Sequence, residues 1–256
     1  MAERTILVVN DDGIGSKGLQ VLAESARAFG EVFVVAPLSE TSGMGKAITL
    51  GEVSVQRHPF AHGIDAYAIH GTPADAVLLG MEYLLPREPD VILSGVNLGP
   101  NLGIEDFFDS GTIGAAIEGA IHGKIAIAFS LAISRERKTA GDYDVIDAQH
   151  IAEKTLTAVF SNPPILSPGE VMSVNVPYPA LNGIRPSIIS KRALRSAHCK
   201  TSAGYSMKPW EMAFYETESE NSDVYVTREL GFASISVINL KLEDQYAKAI
   251  TIANLV

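Results

Sequence analysis

The chain has 256 residues, 46% of them apolar, with 20 basic against 30 acidic side chains and a formal charge of -10. That length and apolar content suit one large domain or a main domain with an appendage, and the negative balance argues against a non-specific surface for nucleic acid or anionic membrane. The single cysteine, Cys199, excludes an intrachain disulfide and a Cys-rich zinc site, and with no apolar run approaching about 18 residues and no signal-type segment the expected location is cytoplasmic.

The first element is a continuous apolar run over residues 5–9 that ends at a polar turn, the pattern of a buried parallel strand. Leu19, Leu22, Ala23, Ala26 and Phe29 then recur at helical spacing, Gly30 closes the helix, and residues 32–36 form a second apolar run. This βαβ unit implies a parallel sheet with helices on its faces. Val53, Val55, Tyr67 and Ile69 alternate like strands, Pro73 opens a helix through about Leu85 with Thr72 as its N-cap, and residues 91–93 read as another buried strand. A helix is expected over 111–123 and a strand over 125–129; Ala148, Ile151, Ala152, Leu156 and Val159 then mark one face of a further helix. Past about Pro163 the composition shifts, and strand-like runs at 172–176 and 234–240 flank a polar, basic and aromatic stretch over 191–221 that reads as a projecting hairpin or loop. The expected fold is therefore α/β, with a core at 1–190 and an extension at 191–256.

In an open α/β sheet, ligands bind outside the carboxyl ends of the strands, so the segments after the apolar runs are the candidate site walls. Four are chemically unusual: Asn10-Asp11-Asp12-Gly13, residues 37–45, Ser94-Gly95-Val96-Asn97 with the segment to Asn101, and Asp109-Ser110-Gly111-Thr112. The first supports two readings. Gly13, Gly15 and Gly18 spell the G-x-G-x-x-G of a dinucleotide loop, while Asp11 and Asp12 are adjacent carboxylates suited to a divalent cation. Two unit charges about 4 Å apart repel by roughly 4 kcal/mol at an effective dielectric of 20; a cation reverses that penalty, and a pyrophosphate deepens it. The second strand also ends in Val35-Ala36-Pro37, without the acidic residue that would hold a ribose, and Glu40 lies past the proline. The bland alternative is a turn in which one aspartate caps the next helix.

Ser42 and Asn97 add neutral oxygen donors, and an all-oxygen set suits Mg²⁺, Mn²⁺ or Ca²⁺. Ser110-Gly111-Thr112 at a helix start offers free N–H groups, two hydroxyls and the positive end of the dipole, the makings of a phosphate cradle, although an N-cap with no ligand has the same appearance. The six histidines show no H-x-H or H-E-x-x-H spacing. Tyr205, Trp210, Phe214 and Tyr215 could stack a base or lie in a subunit contact.

Taken together, these residues resemble the SurE, or stationary-phase survival, family of metal-dependent 5'-nucleotidases and phosphatases. The resemblance rests on Ile6 through Gly13, Ala36-Pro37 with Ser42-Gly43, His70-Gly71-Thr72-Pro73-Ala74-Asp75, Ser94-Gly95-Val96-Asn97 with Gly99 and Asn101, and Ser110-Gly111-Thr112-Ile113 with Ala115, Ala116 and Glu118. Residues 231–236 add a late strand. It implies a three-layer α/β/α, Rossmann-like, mostly parallel sheet. It also implies one divalent cation per subunit on Asp11, Asp12, Ser42 and Asn97, and a phosphate on Asn101, Ser110, Gly111 and Thr112. The family's members form dimers by exchanging C-terminal elements, and some form tetramers through a projecting hairpin, so a homodimer or homotetramer is expected. Asp109 stands where a tyrosine commonly precedes Ser-Gly-Thr, and 191–221 matches poorly.

The expected activity is that of a phosphoric monoester hydrolase acting on nucleoside 5'-monophosphates, with Asp11 and Asp12 catalytic and water as the nucleophile. Its rivals are a nucleotide sensor that uses the same site without turnover and a NAD-dependent enzyme. Phosphate release from AMP or GMP separates the first rival, and a thermal shift with NAD but not with metal identifies the second.

Overall fold

The computed structural model describes residues 4–161, 165–191, 193–194, 198–207, 212–213 and 219–240. In chain order its elements are β1 (Thr5–Val9), α1 (Lys17–Ala26), β2 (Glu31–Pro37), β3 (Val55–Arg57), β4 (Asp65–Ile69), α2 (Pro73–Leu79), β5 (Val91–Leu98), α3 (Gly103–Asp109), α4 (Gly111–Ile121), β6 (Ile125–Ala132), α5 (Arg135–Ala140), α6 (Ile146–Ser161), β7 (Glu170–Pro177), β8 (Ile184–Pro186), β9 (Ala193–Leu194), β10 (His198–Thr201), β11 (Gly204–Met207), β12 (Met212–Ala213) and β13 (Ala233–Asn239). The main sheet has the order β3-β4-β2-β1-β5-β6-β7-β13-β8. The run from β4 to β7 is wholly parallel. At the edges, β3 runs antiparallel to β4 and β13 antiparallel to β7.

Both faces of the sheet are covered, which is why its central strands read as continuous apolar runs. Along β1, Ile6 and Val8 pack with Leu19 and Leu22 of α1 and Ile151 and Leu156 of α6, whereas Leu7 and Val9 pack on the opposite face with Ala76 and Val77 of α2 and Ala115 of α4. The result is the expected three-layer α/β/α architecture. Leu22 is fully buried under α1, and its truncation to Ala would cost about 2–5 kcal/mol.

Strand order reverses between β1 and β5: the chain moves from β1 to β2 on one side and continues from β5 to β6 and β7 on the other. A crevice at the carboxyl ends of such strands is where α/β sheets bind ligands. Three details depart from the sequence reading. β5 runs on past Leu93, because a bulge between Ser94 and Asn97 lets the strand resume its pairing with β6, so Asn97 stands in the strand rather than in a loop. The helix expected to about Leu85 is α2 followed by a π-helical turn, Gly80–Leu84. The expected boundary at residue 190 does not divide the sheet, since β13, from beyond it, pairs along six positions of β7. Within 191–221, β10 and β11 form an antiparallel hairpin with an exposed Tyr205, while Trp210, Phe214 and Tyr215 lie outside the described residues. No described helix is long and apolar enough to cross a membrane.

Candidate active site

The turn after β1 is closed by its own first residue. Buried Asn10 accepts from Gly13 N at 3.2 Å and donates from Nδ2 to Gly13 O at 3.0 Å, and Gly13 takes the positive φ of +97° that this closure requires. The cap of α1 is Ser16, whose Oγ accepts from Gly18 N, so neither aspartate is spent on the helix. Gly18 lies against the β5 bulge, where an added Cβ would sit 1.9 Å from Val96 O, whereas a Cβ on Gly15 would meet nothing within 4 Å. Two of the three glycines therefore serve the turn and the helix packing.

Released from capping, the two carboxylates reach different walls of the crevice. Asp11 is 3% exposed and accepts from Thr112 Oγ1, in the first turn of α4, at 2.5 Å. Its pKa is pushed up to about 6, by burial first and by the neighbouring Asp12 charge second, against the pull of the Thr112 hydrogen bond. Asp12 accepts from Leu98 N at 2.7 Å, which places it at the end of β5 beside Asn97, and its Oδ1 meets Lys138 Nζ at 2.6 Å. Lys138 also donates to Glu40 Oε1 at 2.9 Å. Burial disfavours the Lys138 charge, but Asp12 and Glu40 outweigh it and hold the ammonium above its ordinary pKa. Glu40 is held below the usual carboxylate range, chiefly by Lys138.

The other expected ligands are brought in by backbone contacts. Thr41 N donates to Asp11 O at 2.8 Å, which ties the loop carrying the next residue, Ser42, to the turn after β1; Ser42 itself is exposed, and its Oγ donates to Glu40 Oε1 at 2.8 Å. Asn97 spends Nδ2 on Gly99 O at 2.9 Å, and its side-chain oxygen is the atom left for a ligand. The loop that carries Ser42 is pinned further along: Gly45 N donates to Asp109 O at 2.8 Å, and Lys46 pairs with the buried Glu118 of α4. Thr49 donates to both Asp75 oxygens, and Thr72 Oγ1 donates to Ala47 O at 2.6 Å. Asp109 thus acts on this loop through its carbonyl.

Ser110 caps α4 by accepting from Ile113 N at 3.2 Å, which leaves its own O–H to donate, and Gly111 lies so close to Asp11 that a Cβ would come within 2.9 Å of the Asp11 Cβ. The Thr112 hydroxyl, expected to serve a phosphate, is committed to Asp11 in this structure. Asn101 is buried one ladder further on, donating from Nδ2 to Ser130 Oγ at 2.9 Å and locked to Asn175 through its backbone. Ser130 is the β6 partner of Asn97, so Asn101 borders the same crevice with one of its two amide hydrogens engaged.

This donor set fits a hard divalent cation. It combines two carboxylates, an amide oxygen and a hydroxyl, and the raised pKa of Asp11 records a carboxylate charge poorly balanced in a buried place. Among the described residues no three His, Cys, Asp or Glu side chains gather into an alternative centre. Lys138 and Asn10 were not among the expected site residues. The strand-end rule points to Lys138, because Arg135, Arg137 and Lys138 form a basic cluster soon after β6 in a chain of net negative charge.

A family model described as "Survival protein SurE" matches residues 6–198. The chain belongs to the SurE family. A relative named "5'-nucleotidase SurE" from Methanocella arvoryzae is 34% identical and aligns with 93% of this chain and 92% of its own length. One named "5'-nucleotidase SurE 1" from Thermus thermophilus is 38% identical over 93% and 92%. A third, "5'-nucleotidase SurE" from Pelobacter propionicus, is 42% identical over 75% and 73%. The crystal structure of the SurE protein from Aquifex aeolicus superposes with a TM-score of 0.77 at 30% identity, covering 98% of this chain and 99% of that one. The SurE match spans every wall of the crevice described above, from the turn after β1 to the Lys138 helix, so the geometry of Asp11, Asp12, Ser42 and Asn97 lies within the shared part of the chain.

Proposed function

We propose that this chain is a divalent-cation-dependent 5'-nucleotidase that hydrolyses nucleoside 5'-monophosphates to nucleoside and inorganic phosphate. The observation that carries the reading is the placement of Asp11, buried between Asp12 and the N-terminal turn of α4, where the proposed cation and phosphate sites would share a wall. A cation bound by Asp11, Asp12, Ser42 and Asn97 supplies charge neutralisation at the ester phosphate and acidifies water.

The chain's own groups do the rest. Within the first turn of α4, Ile113 N is spent on Ser110 and Thr112 on Asp11, so the Ser110 O–H and the Gly111 N–H are the donors for phosphate oxygens, aided by the helix dipole. Thr112 works through Asp11, fixing the carboxylate that faces the reacting centre. Asn101 offers its second amide hydrogen from the β6 side. Asp11 or Asp12 orients the attacking water and accepts one proton from it as the water oxygen bonds to phosphorus; the P–O bond to the ribose breaks, and the leaving alkoxide takes up that proton from the carboxyl group. An aspartyl-phosphate is disfavoured because the turn after β1 reads Asn10-Asp11-Asp12-Gly13, with adjacent aspartates in place of the D-x-D spacing associated with that route.

We also infer a cytoplasmic homodimer or homotetramer, with catalysis in 1–190 and subunit contacts in 191–256, of which β13 also continues the main sheet; the exposed β10–β11 hairpin supports the assignment of subunit contacts. Asp11→Asn should abolish cation-dependent turnover of p-nitrophenyl phosphate while leaving the melting temperature unchanged. Undiminished turnover would overturn the assignment of the site.

A further inference from the structure

The crevice holds a cation that the proposed reaction does not yet use. Lys138 is the α5 residue turned inward, while Arg137 pairs with Asp142 outside. Its ammonium lies 2.6 Å from Asp12 Oδ1 and 2.9 Å from Glu40 Oε1, and the same Glu40 oxygen accepts from Ser42 Oγ at 2.8 Å. Glu40 follows β2 and Lys138 follows β6, and these strands flank the β1–β5 pair in the sheet. The bridge between them therefore crosses the mouth of the crevice.

We propose that Lys138 is a phosphate-binding residue of the substrate site, held in readiness by Asp12 and Glu40 and handed from Glu40 to the phosphate of the substrate. The inference rests on the nucleotidase reading and adds a substrate contact to it. Three observations support it. The ammonium touches Asp12 and sits one side chain from Ser42, so an anion bound at that oxygen cluster lies within its reach. An ammonium offers three donors and no acceptor, and a phosphate in a chain of charge -10 with Glu40 at the mouth needs such a counter-charge. The two halves of the bridge are also unequal. The Asp12 side chain is 3% exposed and that of Glu40 is 52% exposed, so the Asp12 contact anchors the ammonium while the solvent-screened Glu40 contact opens at little cost. The long flexible stem of lysine allows the transfer.

The test is calorimetric titration of inorganic phosphate into the full chain with saturating Mg²⁺, alongside steady-state hydrolysis of AMP. Lys138→Met should weaken phosphate binding at least about tenfold and raise KM more than it lowers kcat, and Lys138→Arg should restore most of the affinity. Glu40→Gln keeps an acceptor for Ser42 and removes the competing charge, so it should tighten phosphate binding. A bridge that only straps two loops together predicts that both changes act in the same direction, and that result overturns the proposal, as does unchanged phosphate affinity in Lys138→Met. If Lys138→Met does not fold, Glu40→Gln decides alone: tighter binding supports the role, and equal or weaker binding refutes it. Phosphate binding that follows the expected pattern in a protein with no AMP hydrolysis would sink the nucleotidase reading and leave the Lys138 contact standing.

Discussion

Gly18→Ala and Gly15→Ala form a paired test of what the glycines after β1 are for. A Cβ at Gly18 would lie 1.9 Å from Val96 O and 2.9 Å from Val96 C. Carbon–oxygen contacts seldom close below about 3.3 Å, so α1 and the β5 bulge must part by roughly 1.4 Å. That separation disturbs the seating of Leu19, Leu22, Ala23 and Ala26, all fully buried. Overpacking of this kind costs about 3 kcal/mol, and the better helix propensity of alanine returns about 1 kcal/mol. The net loss of about 2 kcal/mol corresponds to a fall in Tm of about 4–8 °C. Turnover should fall further than stability, because Val96 adjoins Asn97. At Gly15 the same added methyl meets open space and no positive φ, so alanine there should leave activity intact and change stability by no more than about 1 kcal/mol. Differential scanning calorimetry and AMP hydrolysis on the two variants check both halves. The reasoning fails if Gly15→Ala loses activity, as a dinucleotide loop requires at the glycine that its pyrophosphate approaches, or if Gly18→Ala melts within about 1 °C of the parent.

Asp75 gives a pH-dependent prediction. Burial pushes its pKa up, but the hydrogen bonds from Thr49 and Thr72 outweigh burial and hold it below the ordinary aspartate value. A depressed folded-state pKa stabilises the protein above the unfolded value of about 3.9, and that stability is lost as pH falls through the folded pKa. Asp75→Asn should therefore cost about 2 kcal/mol in urea unfolding at pH 7, and the gap to the parent should narrow progressively as the pH falls below about 4; a gap that stays constant or widens on that acidification contradicts the assignment. Mg²⁺ or Mn²⁺ at about a hundred times its dissociation constant should stabilise the chain by about 2.7 kcal/mol, or about 5–10 °C in Tm. Asp11→Asn should erase that shift, and a variant that keeps it would place the cation elsewhere.

Strands buried on both faces were legible as apolar runs, and the βαβ pattern gave the parallel sheet with helices on its faces, but not the order of its strands. The edge strands β3 and β8 were harder to read because every residue in them is exposed and neither face imposes a pattern. α5 was invisible for the same reason: Arg135-Glu136-Arg137-Lys138-Thr139-Ala140 has no apolar period. Asn97 was placed in a loop because Gly95 interrupts the apolar run, yet the bulge at Gly95 carries the strand on to Leu98. Within the site, adjacent aspartates and strand-end oxygens can be read from residue type and position. The partners they choose cannot, because Thr112 with Asp11 and Lys138 with Asp12 are pairings of residues 101 and 126 positions apart, set by the tertiary fold alone.

Phosphate release from a panel of nucleoside 5'-monophosphates, with Mg²⁺ or Mn²⁺ and again with excess chelator, tests the central claim most directly. The account predicts release with the cation, none with chelator and recovery when the cation is restored. Nucleotide binding without release, or release that chelator leaves untouched, would contradict it.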